Sequence, residues 1–203
     1  MSRVRDPIAT RKAILEAGFE EIYLKGFQAS SVNNILKKTQ LTKGAFFHHF
    51  KNKLALGYAV VDEILYPLTQ QIWIDPFNES DDTIAVLEKM YQGRIEAIKS
   101  FPVNMGCPVN NLVQEMSPID EGFRIRVQRV LDYWISGIAE GLKKGQSNGR
   151  INSKIDPQQT AYTIVSLFEG LMGLGKNSGS VDALETGFQS FRSYLRLLKA
   201  ETV

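Results

Sequence analysis

Two helix patterns, each only about two turns long, lie close together near the start of this chain. The first is Ser30-Ser31-Val32-Asn33-Asn34-Ile35-Leu36-Lys37-Lys38. The second runs from Thr42 to Phe50 and is closed by a Lys51-Asn52-Lys53 turn. Two short helices joined by three or four residues make a helix-turn-helix, whose second helix can enter a DNA major groove. The second pattern carries an aromatic and basic surface, Lys43-Gly44-Ala45-Phe46-Phe47-His48-His49. Ile35, Phe47 and Phe50 are expected in the core, tying the third helix to the first.

Cap signals divide the chain into further helices. Asp6-Pro7 is an N-cap with Pro at the first helical position, and Gly26 ends the helix that follows. Ser30 is expected to cap the second helix, Thr42 the third and Asn52 the fourth. The fourth is predicted from Lys53 toward Trp73, with a kink or early end at Pro67. The stretch 75–82, Asp-Pro-Phe-Asn-Glu-Ser-Asp-Asp, is expected to be a loop that caps a fifth helix from about Thr83 to Ser100, closed by Phe101-Pro102, and residues 103–116 are irregular or a short helix. Ser117-Pro118 opens a long helix ending near Gly145–Gly149. Asp156-Pro157 and Ser180 open the last two. No segment alternates apolar and polar residues with turn signals at strand-like intervals, so the fold is expected to be all-α with about nine helices. The predicted domains are 1–52, a three-helix helix-turn-helix domain, and 53–203, a helical bundle.

Charge sharpens this division. The net charge is only +2, yet residues 1–53 hold 10 Lys/Arg against 4 Asp/Glu, and the other 150 hold 14 against 18. A basic end on an acidic body suits a polyanion contact confined to that end. No apolar run approaches the roughly 20 residues that span a bilayer, so no membrane partner is expected. The start lacks the apolar core of a signal peptide, and the lone Cys107 fits a reducing, cytoplasmic compartment.

The first 60 residues resemble the N-terminal domain of TetR-family transcriptional regulators. The resemblance rests on Gly26-Phe27, Ser30, and the Lys43-Gly44-x-x-Phe47-x-His49-Phe50-x-x-Lys53 pattern. Phe47 replaces the family's usual Tyr and lacks its phosphate-binding hydroxyl. Thr39-Gln40 replaces the usual Ala-Gly at the turn, where a left-handed Gln40 would cost on the order of 1 kcal/mol. Gly106-Cys107-Pro108-Val109-Asn110-Asn111-Leu112, followed by Glu115, resembles a signature in one subset of these regulators.

The resemblance implies a homodimer that binds a palindromic double-stranded DNA operator and responds to a small-molecule effector. Candidate DNA-binding residues are Ser30, Ser31, Thr42, Lys43, Gly44, Ala45, Phe46, Phe47, His48 and Lys53. Ala45 and Phe46 are expected against thymine methyls. Lys43 and Lys53 sit at helix starts, where the macrodipole disfavours a cation unless a phosphate is bound there. The His48-His49 pair points about 100° apart on a helix, so no metal is expected.

For the effector, the candidate contacts are Met90, Arg94, Met105, Cys107, Met116, Phe123, Val127, Trp134, Phe168 and Met172, a mixture of Met and aromatics suited to an apolar or aromatic ligand. Cys107 also has a redox or electrophile-sensing reading, with Lys176 as a candidate neighbour lowering its pKa; its bland alternative is a small core residue. The dimer interface is expected at Leu171, Leu184, Phe188, Phe191 and Leu195. Gly170, Gly173 and Gly175 make sense if another helix approaches closely. No metal-ligand spacing, phosphate loop or nucleophile motif supports an enzyme. The alternative class is a helical small-molecule carrier or enzyme without DNA binding; no cofactor is implied.

Overall fold

The computed structural model describes residues 6–99 and 105–200. Ten α-helices follow one another: α1 Pro7–Lys25, α2 Val32–Thr39, α3 Lys43–His49, α4 Lys53–Val60, α5 Tyr66–Trp73, α6 Thr83–Lys99, α7 Pro108–Met116, α8 Glu121–Ser147, α9 Pro157–Ser178 and α10 Val181–Leu197. A π turn, Val61–Leu65, fuses α4 to α5, so the rods number nine among the described residues. The one β feature among them is a single bridge between Ile151 and Lys199. The expected end of the fifth helix at Phe101-Pro102 lies outside the described residues.

The caps explain where most helices begin. Asp6 accepts from the Ile8 amide, Thr42 from Ala45, Asn52 from Ala55, Asp82 from Ala85 and Asp156 from Gln159. Each side chain satisfies one of the donors a helix start leaves open. Three expectations need correction. Ser31, not Ser30, caps α2 by accepting from Asn34, because Ser30 is buried and donates its hydroxyl to the Phe27 carbonyl at 2.6 Å. Asp120, not Ser117, opens α8, accepting from the Phe123 amide at 2.7 Å. Ser180 stands at the start of α10 without a side-chain cap bond.

At Pro67 the chain keeps going. The preceding turn widens, and the Tyr66 amide donates to the Val61 carbonyl five residues back. A proline removes one ladder donor and crowds the carbonyl four residues earlier. A π turn is one way to make that room without ending the helix.

The described residues divide into two compact units, one from Met1–Pro67 and Pro108–Gln128, the other from Leu68–Cys107 and Arg129–Val203. The expected boundary after residue 52 falls inside the first unit, which also contains α4 and α7. In that unit α1 packs on α2 and α4 around Ile14, Ile35, Phe46, Leu56 and Val60, all fully buried. In the second, α10 packs along α6 and α9. Among the described residues no helix is long and apolar enough to cross a membrane.

Candidate nucleic-acid interface

The turn between α2 and α3 passes through Gln40 at φ 55° and ψ 30°, the one non-glycine residue with positive φ among those described. A left-handed residue reverses the chain sharply, and Thr42 then restarts it as the cap of α3. Helix α3 is seated by Phe46, which is 0% exposed, and by the buried Phe50; the two rings lie 5.9 Å apart. Its outer face presents Thr42, Lys43, Gly44, Phe47 and His48, with Ala45 half-buried beside them.

Phe46, expected at the groove, is core, and Phe47, which was both a candidate DNA contact and an expected core residue, is 54% exposed. Successive helical residues diverge by about 100°, so a small error in helix phase reverses an adjacent pair. A Cβ added at Gly44 would meet only the Thr42 hydroxyl, at 3.8 Å, so nothing else in the described structure crowds that position. Ser31 is half-buried at the start of α2, whereas Ser30 is buried and leaves the candidate surface.

Lys53 also leaves it. Its ammonium donates to the carbonyls of Phe27, Gln28 and Ser30 at 2.8, 3.1 and 3.0 Å and lies 4.6 Å above the Phe27 ring. Those three bonds match its three donors, so Lys53 fastens the α1–α2 turn instead of offering charge to a phosphate.

Paired charges hold the helices beneath. Arg11 grips Glu63 with two 2.6 Å bonds. The guanidinium lowers the Glu63 carboxyl below its ordinary range. Glu21, 2% exposed, accepts from the Asn34 side-chain Nδ2 at 2.9 Å and pairs with Lys25 at 3.0 Å. Burial pushes its pKa up, but the Asn34 bond and the Lys25 and Lys38 ammoniums outweigh that, so it lies below the ordinary value. His49 is also lowered, first by burial and then by His48 and Arg11.

The expected effector contacts are divided between the two units. Met116, Phe123 and Val127 belong to the core of the first unit, where Phe123 packs edge-on to Phe27 and Tyr58 at 4.7 and 5.2 Å. The second unit holds buried Met90, Cys107, Trp134, Phe168 and Met172, with Arg94 and Met105 half-buried. Trp134 stacks on Trp73 at 4.6 Å, and Phe168 meets Trp73 edge-on at 4.7 Å. Tyr91 donates to the Ile164 carbonyl and stacks on Phe191 at 3.9 Å. The Trp134 indole N–H is buried without a hydrogen-bond partner among the described residues. Trp73 had only a place at the end of a periodic apolar run to mark it. A separate groove of about 350 Å³ runs beside α8, lined by Ile74, Phe77, Tyr133, Gly137 and Lys144 among others. It includes none of the ten expected effector residues. Lys176 is exposed on α9 while Cys107 is buried just ahead of α7.

Leu184, Phe188, Phe191 and Leu195 are likewise buried within the chain, each at most 4% exposed. This seam, expected between protomers, is the contact of α10 with α6 and α9. A Cβ at Gly175 would collide with Leu184, so that glycine lets α10 approach. Gly170 and Gly173 face open space. They lie among Leu167, half-buried Leu171 and Leu174, and Leu174 is 67% exposed. The residues 167, 170, 171 and 174 form one apolar stripe at helical spacing on α9.

Comparison with known proteins identifies this arrangement. Residues 14–60 match the family described as bacterial regulatory proteins, tetR family, and residues 83–191 match the tetracyclin repressor-like C-terminal domain. The chain is 26% identical to the transcriptional regulator AcuR of Cereibacter sphaeroides, over 92% of this chain and 85% of that protein. It is 25% identical to the transcriptional repressor DhaR of a Mycobacterium species, over 82% and 81%. A crystal structure of a regulatory TetR protein from Rhodobacter sphaeroides superposes with a TM-score of 0.78 at 27% identity, covering 90% and 96% of the two chains. With both of its halves matched, the chain belongs to the TetR family of DNA-binding transcriptional regulators, which are not enzymes.

Proposed function

We propose that the chain is a homodimeric repressor that sets α3 into the major groove at each half of a roughly palindromic operator and lets go when a small effector engages its second unit. The observation that carries this reading is the outer face of α3. An aromatic ring, a lysine, a histidine and a capping hydroxyl stand out from a helix whose inner face is fully buried. Lys43 supplies phosphate attraction, and Phe47 and the half-buried Ala45 offer apolar contact to thymine methyls. Gly44 leaves room for close backbone approach. The relative named as a repressor supports the direction of control.

Dimerisation is assigned to the outer stripe of α9, Leu167, Leu171 and Leu174 with Gly170 and Gly173, where small residues allow two helices to meet closely. The effector is assigned to the aromatic cluster around Trp134, Trp73 and Phe168. An unpartnered buried indole N–H costs about 1–3 kcal/mol, and an apolar or aromatic ligand bearing an acceptor oxygen would relieve it. A thiol-based reading has one observation in its favour: Cys107 immediately precedes the first residue of α7, where a helix start favours thiolate. Intact mass after mild oxidant separates the two readings.

The test of DNA binding is a gel shift with duplex from upstream of the protein's own gene. Lys43→Ala is expected to weaken binding; a wild type that does not shift the duplex, or binding indifferent to that change, overturns the reading.

A further inference from the structure

The turn that joins α1 to α2 has its backbone held from two sides. The Glu115 carboxylate of α7 accepts from the consecutive amides of Phe27 and Gln28 at 2.7 and 2.8 Å. The Lys53 ammonium takes the carbonyls of Phe27, Gln28 and Ser30. Gly26, at φ 83°, takes a backbone conformation that strains any side chain, and a Cβ there would press on both Glu115 oxygens at 3.0 Å. The Phe27 ring is wedged between Lys53 and Phe123 and lies against the backbone of Gly57, where a Cβ would come within 2.6 Å of it. All of these groups lie in the first unit.

We infer that Glu115 is a positioning residue for DNA binding, which sets the start of α2, and through it α3, by gripping the α1–α2 turn. This rests on the DNA-binding reading above. The turn leads within three residues into Ser31, the cap of α2. Any shift of the Phe27 and Gln28 amides is therefore passed to α2 and, across the short Gln40 turn, to the exposed face of α3. Phe27 is buried, so its amide needs a partner, but Gln28 is exposed and water could serve its amide; a single acceptor would have sufficed. Two adjacent amides and two carboxylate oxygens instead define a direction, as bidentate pairing does elsewhere. The Gly106–Leu112 sequence with Glu115 then has a mechanical meaning: a glycine turn, a proline-started helix, and a carboxylate on that helix's last turn.

The experiment compares wild type with Glu115→Gln, which keeps the size but turns an amide donor toward one of the two N–H groups. Binding to duplex from upstream of the protein's own gene and to random-sequence duplex is followed by fluorescence anisotropy across salt concentrations, beside thermal midpoints. A positioning role predicts at least about a tenfold loss on the upstream duplex, the effect of losing one charge-assisted bond. It also predicts a salt slope shallower by about one phosphate contact. A merely structural role lowers the midpoint and leaves the folded protein's affinity and slope unchanged, which overturns the inference. Hydrogen exchange on the wild type is independent of variant folding: the Gln28 amide must be protected despite its exposed side chain, and exchange at the rate of a free amide overturns the inference as well. If wild type binds neither duplex, the DNA-binding reading fails; if it binds and Glu115→Gln matches it, only this inference fails.

Discussion

Phe46 and Phe47 are neighbours in α3 whose rings meet edge to face with centroids 5.2 Å apart, yet one is fully buried and the other more than half exposed. Their replacements should separate folding from recognition. Phe46→Ala removes a ring from the packed floor of α3 and should cost about 3–5 kcal/mol. Phe47→Ala removes a ring that is more than half exposed and meets only the edge of Phe46 as a ring partner, and should cost about 0.5–1.5 kcal/mol. Urea unfolding reads both costs. Operator affinity separates them, because Phe47→Ala should weaken binding while its midpoint moves far less than that of Phe46→Ala.

Lys43 and Lys53 should part in the same way. Lys43 is exposed on the recognition face, so Lys43→Ala should reduce the slope of log affinity against log salt by about 0.9, the share of one phosphate. Lys53→Ala should leave that slope nearly intact and instead lower stability by on the order of 1–3 kcal/mol, through lost charge-assisted bonds to three carbonyls. Titrations of both variants at several salt concentrations, together with denaturant melts, give both quantities. A Lys53 variant with unchanged stability and a shallower slope would restore it to the phosphate surface.

Much of this head was legible because it is written in local chemistry. Asp6, Thr42, Asn52 and Asp156 cap the helices they precede, whereas the left-handed Gln40 was expected only through the resemblance, from the family's usual Gly at that position. Ser30 and Ser31 are equally good caps by type; burial of Ser30 against Phe27 chose between them. Periodicity marked the apolar seam of α10, but spacing cannot say whether the covering helix is in the same protomer or another. Glu115 and Lys53 act across 88 and 26 residues on bare backbone atoms, which leave no side-chain pattern to read. Trp73 joins its cluster only through tertiary packing, so its role was hidden too.

Acid should destabilise the protein in two stages. His49 has a folded pKa below its ordinary value of 6.5, so the unfolded chain takes up this proton first. Its contribution is complete above 6.5 and is lost as pH falls through the lowered folded value. Glu21 and Glu63 also have folded values below the ordinary 4.5. The stability they add is present above 4.5 and is lost as pH drops further. Melting temperature measured against pH should therefore bend twice. His49→Gln should remove the upper bend, and Glu21→Gln should flatten the lower one. A single transition in the wild type, or an upper bend that survives in His49→Gln, would contradict this assignment.

The two apolar faces of the α9–α10 pair should answer to different measurements. Leu195 is fully buried among α10's contacts, so Leu195→Ala should cost about 2–5 kcal/mol whatever the oligomeric state. Leu174 is 67% exposed, and among the described residues nothing comes within 4 Å of a Cβ at the nearby Gly170 or Gly173. In an isolated protomer Leu174→Glu would be close to neutral. In a dimer joined along this stripe, the same change places two carboxylates in an apolar contact with no partner, and burying unpaired charge is far costlier than exposing it. Light scattering after size exclusion should therefore find Leu174→Glu monomeric with its helical signal retained, and Leu195→Ala dimeric but melting earlier. If paired heads read the two halves of an operator, as proposed, the monomeric variant should also lose most of its affinity for the upstream duplex, although its α3 face is untouched. Were Leu174→Glu to stay dimeric, the protomers would have to meet on another surface, and the open glycines of α9 would need a different explanation.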